Sequence, residues 1–342
     1  MQAWKSIFAA AASCGVVAFS GLAQAQTAQT PIVIKFSHVV AANTSKGKTA
    51  DYFKKIVEER TQGRVKVDVY ANSQLYKDKE ELEALQMGSV QMLAPTFGKF
   101  GPIGVREFEV FDLPYLFDNM EQAQKVTQGA IGKKLLQKLD SKGIAGLAML
   151  DSGFLDWTSN KPIVKPADIK GMKIRIQSSK VIDARTRIVG ALPQVMAWSE
   201  IYQALQTGVV DGQENPPSIV NTAKLYEVQK FMTLSEHGYH GYVLIANKRF
   251  WDALPADLKP IMDKAVIDAT SYFNSNAKKE NDDALEEIRR TGKTKILSMT
   301  AQDKDEWRKV QAPVYHEMEG RVGKELMQEL FKTIGREQPG MK

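Results

Sequence analysis

The sequence predicts an α/β fold arranged in two lobes. Short β-branched segments alternate with stretches of helical periodicity from Ile32 to Leu150, a pattern typical of a sheet covered by helices. The same alternation starts again at Met172 and continues to Asn247. The segment 261–290 contains neither proline nor glycine and predicts one long helix. Two α/β units in series, followed by a helix that braces both, indicate two lobes.

The first unit opens with a buried strand at Ile32–Phe36, and the polar segment 41–48 then predicts a loop. Apolar residues at helical spacing predict a helix over 50–60, and Gly63 is the signal that stops it. The alternating segment 65–69 reads as the next strand. The rest of the unit is predicted as a helix over 80–87, a strand over 90–94, a helix over 121–139 and a strand over 144–150.

The second unit predicts four further strands and two helices. The strands are expected over 172–176, 194–197, 228–234 and 242–247, and the helices over 179–189 and 199–206. Asp211 and Glu214 lie beside Gly212 and Pro216, which favours a tight turn with structural carboxylates over a pair of catalytic acids.

The last third of the chain is predicted to be helical. A helix over 261–290 would be about 45 Å long at 1.5 Å per residue, longer than one small domain is wide. The tail 303–333 predicts further helix, interrupted near Pro313.

Composition excludes several classes of protein. Charged residues make up 25% of the chain and hydrophobic residues 43%, which is an ordinary globular balance and not that of a disordered, collagenous or disulfide-rich chain. The net charge is +6, but acids and bases are interspersed, so a nucleic-acid groove is not expected. No P-loop, no G-x-S-x-G elbow and no H-E-x-x-H motif is present, which weakens the case for an enzyme, and we expect no cofactor and no metal.

Residues 1–25 have the pattern of a secretory signal peptide. Lys5 precedes an apolar run from Ile7 to Ala23, and an A-x-A cleavage site ends at Ala25. An uncleaved membrane anchor and a lipoprotein acceptor at Cys14 are the alternatives. Cys14 is the only cysteine, so the processed chain would contain no thiol. Export without disulfides predicts a bacterial periplasmic location.

Two features of the second unit predict chemistry. Arg175 lies within a predicted strand, where a guanidinium can clamp a carboxylate with two parallel hydrogen bonds. An exposed arginine paired with a neighbouring acid explains the same spacing. His237 and His240 have H-x-x-H spacing, but without a third ligand nearby we expect hydrogen-bonding roles in place of a metal site.

Several long segments together resemble one known family. They are Gly171–Ser179, Met196–Pro216 and His237–Tyr242, followed by Asn247–Trp251. In these segments the chain resembles the DctP-type extracytoplasmic solute-binding proteins of TRAP (tripartite ATP-independent periplasmic) transporters. The resemblance implies a two-lobed periplasmic binding protein fold, each lobe a mixed sheet flanked by helices and the two bridged by a long helix.

The resemblance also implies a boundary for each lobe and a function. The first lobe would comprise 26–152 plus about 241–280, and the second 153–240 plus about 281–342, with the ligand cleft between them. A receptor of this kind closes on a small organic acid anion, delivers it to membrane permease subunits and catalyses no reaction. We expect a monomer.

Binding residues follow from the resemblance position by position. Arg175 matches the arginine that pairs with the substrate carboxylate, and Asn215 matches an asparagine that hydrogen-bonds the same group. Trp198 stands where the family usually has phenylalanine, and His237 matches a histidine of the pocket wall. Further residues that fall in cleft-lining segments are His38, Lys77, Thr96, Phe97, Gln177 and Ser178.

One departure from the family pattern leaves the substrate open. In dicarboxylate-binding members the segment at 152–155 resembles N-G-F-K, whereas here Leu155 replaces the cation. A C4-dicarboxylate is still expected if Lys77 or His38 supplies the second contact. Alternatively, Leu155 with Trp157 and Trp198 would suit the apolar or aromatic tail of a monocarboxylate, such as a 2-keto or 2-hydroxy acid. An exported enzyme using His237 as a base, or a sensor-coupled receptor, are the alternatives from other classes.

Overall fold

The structure is a computed structural model, and it describes residues 30–340. The predicted signal peptide lies outside the described residues. No helix within 30–340 is both long and apolar enough to cross a bilayer.

The described residues contain one mixed sheet of nine strands, ordered β2-β1-β3-β8-β4-β7-β5-β6, with β9 paired to β8. The strands are β1 Ile32–Ser37, β2 Val65–Tyr70, β3 Met92–Leu93, β4 Ile144–Ser159, β5 Lys173–Ile176, β6 Leu192–Val195, β7 Gly212–Asn215, β8 Phe231–Asn247 and β9 Lys295–Ser298. Pairing is parallel among β2, β1 and β3 and among β7, β5 and β6. The central pairs β3–β8, β8–β4 and β4–β7 are antiparallel.

Helices cover the sheet and complete the α/β fold. They are α1 Ser45–Arg60, α2 Glu81–Gln86, α3 Met120–Thr127, α4 Ala130–Lys138, α5 Lys180–Ile188, α6 Ile201–Gln206, α7 Pro217–Thr222, α8 Lys248–Asp252, α9 Lys259–Thr291, α10 Ala301–Gln311, α11 Pro313–Val322 and α12 Lys324–Ile334. We call the part built on β1–β3 with α1–α4 the first lobe, and the part built on β5–β7 with α5–α7 the second lobe.

The two long strands β4 and β8 run through both lobes, which the sequence did not predict. The strand expected over 144–150 continues to Ser159, and the two strands expected over 228–234 and 242–247 are one strand of 17 residues. Polar residues in the middle of each segment hide the continuity from a pattern-based prediction. The strands persist because each pairs with the other along most of its length.

Two other local predictions are wrong for identifiable reasons. The helix expected over 121–139 is two helices, because Gly129 adopts an extended conformation and is the N-cap residue of α4. The expected turn around Gly212 is strand β7, where Glu214 is buried and pairs with β4. Strand β9 and helix α7 were not predicted.

Helix α9 confirms the expected long helix and reaches both lobes. It has 33 residues, begins with Pro260 in its first turn and ends at Gly292, whose φ of 63° makes glycine favourable there. Met262 and Phe273 pack in the core of β1, β2 and α1. Ile288 packs with the core around α6 and α7 in the second lobe.

The C-terminal helices divide between the two lobes. Trp307 of α10 packs with Ile174 and Ile176 of β5, whereas α11 and α12 pack on other helices. Buried residues of α11 and α12 share one apolar cluster with residues of α3 and α4. The assignment of 281–342 to the second lobe therefore stays a prediction.

Candidate functional site

A narrow cleft lies between the two lobes. It adjoins the carboxyl ends of β3, β5 and β7, the position at which α/β sheets commonly bind ligands. Its walls are formed by Val39, Val40, Lys46, Asp78, Thr96, Lys99, Arg175, Gln177, Trp198, Asn215, Ile219, His240 and Tyr242. Five of the residues expected at the site are therefore brought together: Arg175, Asn215, Trp198, Gln177 and Thr96.

Arg175, the third residue of β5, is a buried cation in the cleft wall, only 4% exposed. Its Nε and Nη2 donate hydrogen bonds to the Met196 carbonyl oxygen, at 3.1 and 2.9 Å. Within residues 30–340, no carboxylate oxygen lies within 4.0 Å of the guanidinium. Burial lowers the pKa of Arg175 to about 10, although the more distant Asp78 and Glu214 carboxylates oppose this shift. The group remains charged at neutral pH, and its charge is poorly compensated by the protein.

Lys46 is a second buried cation in the cleft, which the sequence reasoning missed. Its Nζ donates to the Ala94 carbonyl oxygen at 2.9 Å and lies 3.9 Å from the centre of the Tyr242 ring. It has no carboxylate within 4.0 Å among the described residues. Burial lowers the pKa of Lys46 to about 7, with Glu81 opposing the shift and Lys99 adding to it.

The start of α1 explains why Lys46 is buried. The helix begins at Ser45, inside the segment that the sequence predicted as a loop. A Cβ atom on Gly47 would lie 2.3 Å from the Ala42 carbonyl oxygen, so only glycine lets the helix approach this loop.

A third cation in the cleft, Lys99, is already paired within the first lobe. Its Nζ contacts Asp78 and lies 2.6 Å from Glu81. The second oxygen of Asp78 accepts a hydrogen bond from the Trp198 backbone N–H of the second lobe. Burial favours the neutral form of Asp78, but Lys99, this N–H and Arg175 outweigh it and lower its pKa.

Neutral hydrogen-bonding groups complete the cleft wall. Thr96 Oγ1 donates to Gln177 Oε1 across the cleft, and Asn215 Nδ2 donates to Gln213 Oε1. Burial lowers the pKa of His240 to about 3, so this ring is neutral at physiological pH. His240 Nδ1 has no hydrogen-bond partner within residues 30–340.

Five residues expected at the site do not line the cleft. Lys77 is exposed, and its neighbour Asp78 occupies the wall instead. His38 is buried next to Lys46, behind the wall. Phe97 packs in an aromatic cluster with Phe111, at a ring-centre distance of 4.4 Å.

The other two residues, Leu155 and His237, belong to the core behind the cleft. Leu155 is 2% exposed and faces Gly238. His237 stacks on Trp157, at 3.9 Å between ring centres and 4° between planes. Ser178 lies between these cases, because it lines a smaller cavity that also contacts Arg175 and Gln177.

His237 belongs to a buried charge network with Glu214 and Arg185. The Glu214 carboxylate lies 2.6 Å from Arg185 Nη2 and 2.7 Å from His237 Nε2. All three side chains are at most 2% exposed. Burial favours the neutral form of Glu214, but Arg185 and His237 outweigh it and lower its pKa to about 2. Burial also lowers the pKa of His237 to about 4, despite Glu214. Its bonds to Glu214 and Ser235 agree with the hydrogen-bonding role expected for this histidine.

The comparisons with known proteins all relate this chain to one family of solute-binding proteins. The model of the family "Bacterial extracellular solute-binding protein, family 7" matches residues 36–321. The chain is 57% identical over 297 residues to the C4-dicarboxylate-binding periplasmic protein DctP of Rhodobacter capsulatus, covering 87% of this chain and 89% of that protein.

Two solved structures have the same fold. A TRAP periplasmic solute-binding protein of Shewanella oneidensis with bound succinate aligns with a TM-score of 0.87 and 37% identity, covering 89% of this chain and 99% of that one. One from Pseudomonas aeruginosa with bound L-malate aligns with a TM-score of 0.82 and 36% identity, covering 84% and 100%. The expected two-lobed fold and family are thereby confirmed. The chain belongs to the family 7 bacterial extracellular solute-binding proteins.

Proposed function

We propose that this protein captures a C4-dicarboxylate in the periplasm and delivers it to a TRAP membrane permease. The observation that carries the proposal is the pair of buried cations, Arg175 and Lys46, that face one cleft without carboxylate partners. Each would receive one carboxylate of the ligand.

Electrostatics support a doubly charged ligand. A buried ion without a partner is strongly unfavourable, and an ion pair offsets the lost hydration only when the geometry also provides hydrogen bonds. Arg175 has its Nη1 uncommitted to residues 30–340, and Lys46 uses one donor on Ala94. A ligand with two carboxylates would compensate both charges at once.

The cleft offers less support for a monocarboxylate with an apolar tail. That alternative rested on three apolar walls, of which only Trp198 lines the cleft. Leu155 and Trp157 lie in the core and do not line the cleft.

A binding role without catalysis also agrees with the geometry. Its family and relatives are solute-binding proteins. His237, the base that an enzyme would need, is bonded to Glu214 outside the cleft lining. Proton NMR of bound succinate, malate and 2-hydroxy acids should show no turnover, and conversion of any of them would refute the binding-only role.

Replacing Lys46 with methionine tests the assignment of the second carboxylate. Methionine keeps the unbranched apolar stem but removes the charge, so we expect succinate to bind about 30-fold more weakly or worse. A monocarboxylate of similar length should lose much less. Isothermal titration calorimetry of both acids measures the difference, with exposed Lys55→Met on the same helix as control. Equal losses for the two acids would show that Lys46 does not contact a second carboxylate.

Affinity should also depend on pH through Lys46. In the free protein its pKa is about 7, and an adjacent carboxylate raises it, so binding requires proton uptake above pH 7. The dissociation constant of succinate should therefore increase up to about tenfold per pH unit above 7, and Lys46→Met should abolish this dependence. His38 and His240 have pKa values near 4 and 3 and do not titrate in this range. A flat wild-type profile from pH 6 to 9 would contradict the assignment.

The proposal also covers the permease partner, the oligomeric state and the lobe boundaries. We propose a monomer whose gene lies beside two genes for membrane permease subunits; a neighbouring signalling gene would favour a sensor-coupled receptor. We propose the lobe boundaries 26–152 plus about 241–280 and 153–240 plus about 281–342, with α11 and α12 packing on α3 and α4 of the first lobe as well as on α5 of the second.

A further inference from the structure

A carboxylate of the protein itself joins the two lobes across the cleft. Asp78 precedes α2 in the first lobe, and Trp198 begins a short 3-10 turn before α6 in the second. The Trp198 N–H donates to Asp78 Oδ2, although the residues are 120 positions apart. The bond between Thr96 and Gln177 also crosses from the first lobe to the second. Both contacts join protein groups alone and involve no ligand atom.

Asp78 is held in place from its own lobe. Its other oxygen contacts Lys99, whose ammonium is also 2.6 Å from Glu81. The side chain is only 13% exposed. The carboxylate is therefore oriented by the first lobe before the second lobe arrives, and little conformational freedom is lost when the interlobe bond forms.

The Asp78 carboxylate is a suitable acceptor for the Trp198 backbone N–H. The Trp198 N–H is the first backbone donor of its 3-10 turn and has no partner within that turn. Hydrogen bonds to a charged acceptor are stronger than those between neutral groups. Because the Trp198 side chain lines the cleft, the same bond fixes one of the walls that the ligand contacts.

We propose that Asp78 is an interlobe latch, a positioning residue that stabilises the closed arrangement by binding the Trp198 N–H and not by contacting the ligand. The latch acts on the equilibrium between open and closed lobes. It thus affects the ligand-free protein and increases the affinity for every ligand by the same factor. Its action does not depend on which acid the cleft accepts.

The latch can be tested in the absence of ligand by measuring the distance between the lobes. The predicted mature chain contains no cysteine, so Lys55→Cys on α1 and Gln206→Cys on α6, both exposed, give a unique pair for spin labels. Pulsed electron–electron double resonance on the ligand-free protein should show that Asp78→Asn increases the population with a long distance between the two spin labels. Glu81→Gln is the matched control, since Glu81 shares Lys99 but reaches no second-lobe residue; it should leave the distribution unchanged.

A second variant tests whether the shift in distance comes from a folding defect of Asp78→Asn. Thr96→Val removes the hydrogen bond between Thr96 and Gln177 without changing charge, and it should shift the distances in the same direction by less. Identical distributions for wild type, Asp78→Asn and Thr96→Val would overturn the latch. A shift equally large in Glu81→Gln would also overturn it, because the effect would then come from Lys99.

Calorimetry distinguishes the latch from a ligand contact. Asp78→Asn should raise the dissociation constants of succinate and of a monocarboxylate by the same factor, about tenfold. A loss confined to one acid would mean that Asp78 touches the ligand, which contradicts the latch. If the wild type binds neither acid, the proposed function fails, while the distances still decide on the latch.

Discussion

Arg175→Met should weaken the binding of every carboxylate ligand by at least about 100-fold. Truncating one partner of a buried charge pair costs about 2–5 kcal/mol, since the ligand carboxylate would then be desolvated without a cation. The methionine fills most of the same volume, so the loss should appear in affinity and not in folding. Calorimetry with succinate, together with a thermal melt of the free protein, measures both quantities.

The neighbouring strand residue provides the control for Arg175. Lys173→Met removes a positive charge two residues earlier on β5, where the side chain is exposed and the long-range field is largely screened. Its affinity should match that of the wild type. Wild-type affinity in Arg175→Met would remove this arginine from the site, whereas an equal loss in Lys173→Met would indicate a nonspecific charge effect.

Glu214→Gln should produce the largest loss of stability among single isosteric changes at the described ion pairs. The substitution removes the only carboxylate within 4.0 Å of buried Arg185 among residues 30–340, and breaking a buried pair in this way costs about 3–5 kcal/mol. For a chain of this size the melting temperature should fall by about 5 °C. Scanning calorimetry of the ligand-free protein measures the change.

The control for Glu214 is an ion pair at the surface. Glu306→Gln breaks the contact with Lys165, whose atoms are 3.5 Å apart and whose side chains are both more than one third exposed. Such pairs contribute about 0–1 kcal/mol, so the melting temperature should barely change. A Glu214→Gln protein as stable as Glu306→Gln would show that Arg185 does not depend on this carboxylate.

The sequence predicted the parts of the fold that depend on local pattern. Helix α9 was predicted to within two residues at each end, because Pro260 and Gly292 mark its boundaries and nothing between interrupts it. Strands β4 and β8 were cut short, because their central polar residues are satisfied by distant partners that a local pattern does not contain. Asp151, for example, accepts hydrogen bonds from Thr127 and Asn274, 24 and 123 residues away.

The candidate site shows the same division. Arg175 and Asn215 lie in segments whose resemblance to a family is strong, and both line the cleft. Lys46 was missed because its burial depends on one close approach by Gly47, which no spacing reveals. Leu155 was overinterpreted, because substitution at a position usually occupied by a cation does not show whether that cation faces the ligand.

The continuity of β4 and β8 has a consequence for how the protein unfolds and evolves. Each strand donates part of its length to the hydrogen-bonded ladder of either lobe, so neither lobe possesses a complete sheet of its own. Cutting the chain between the lobes would expose unpaired strand edges on both fragments, which invites aggregation. The lobes should therefore melt as a single cooperative unit, and they cannot be exchanged between relatives as independent modules.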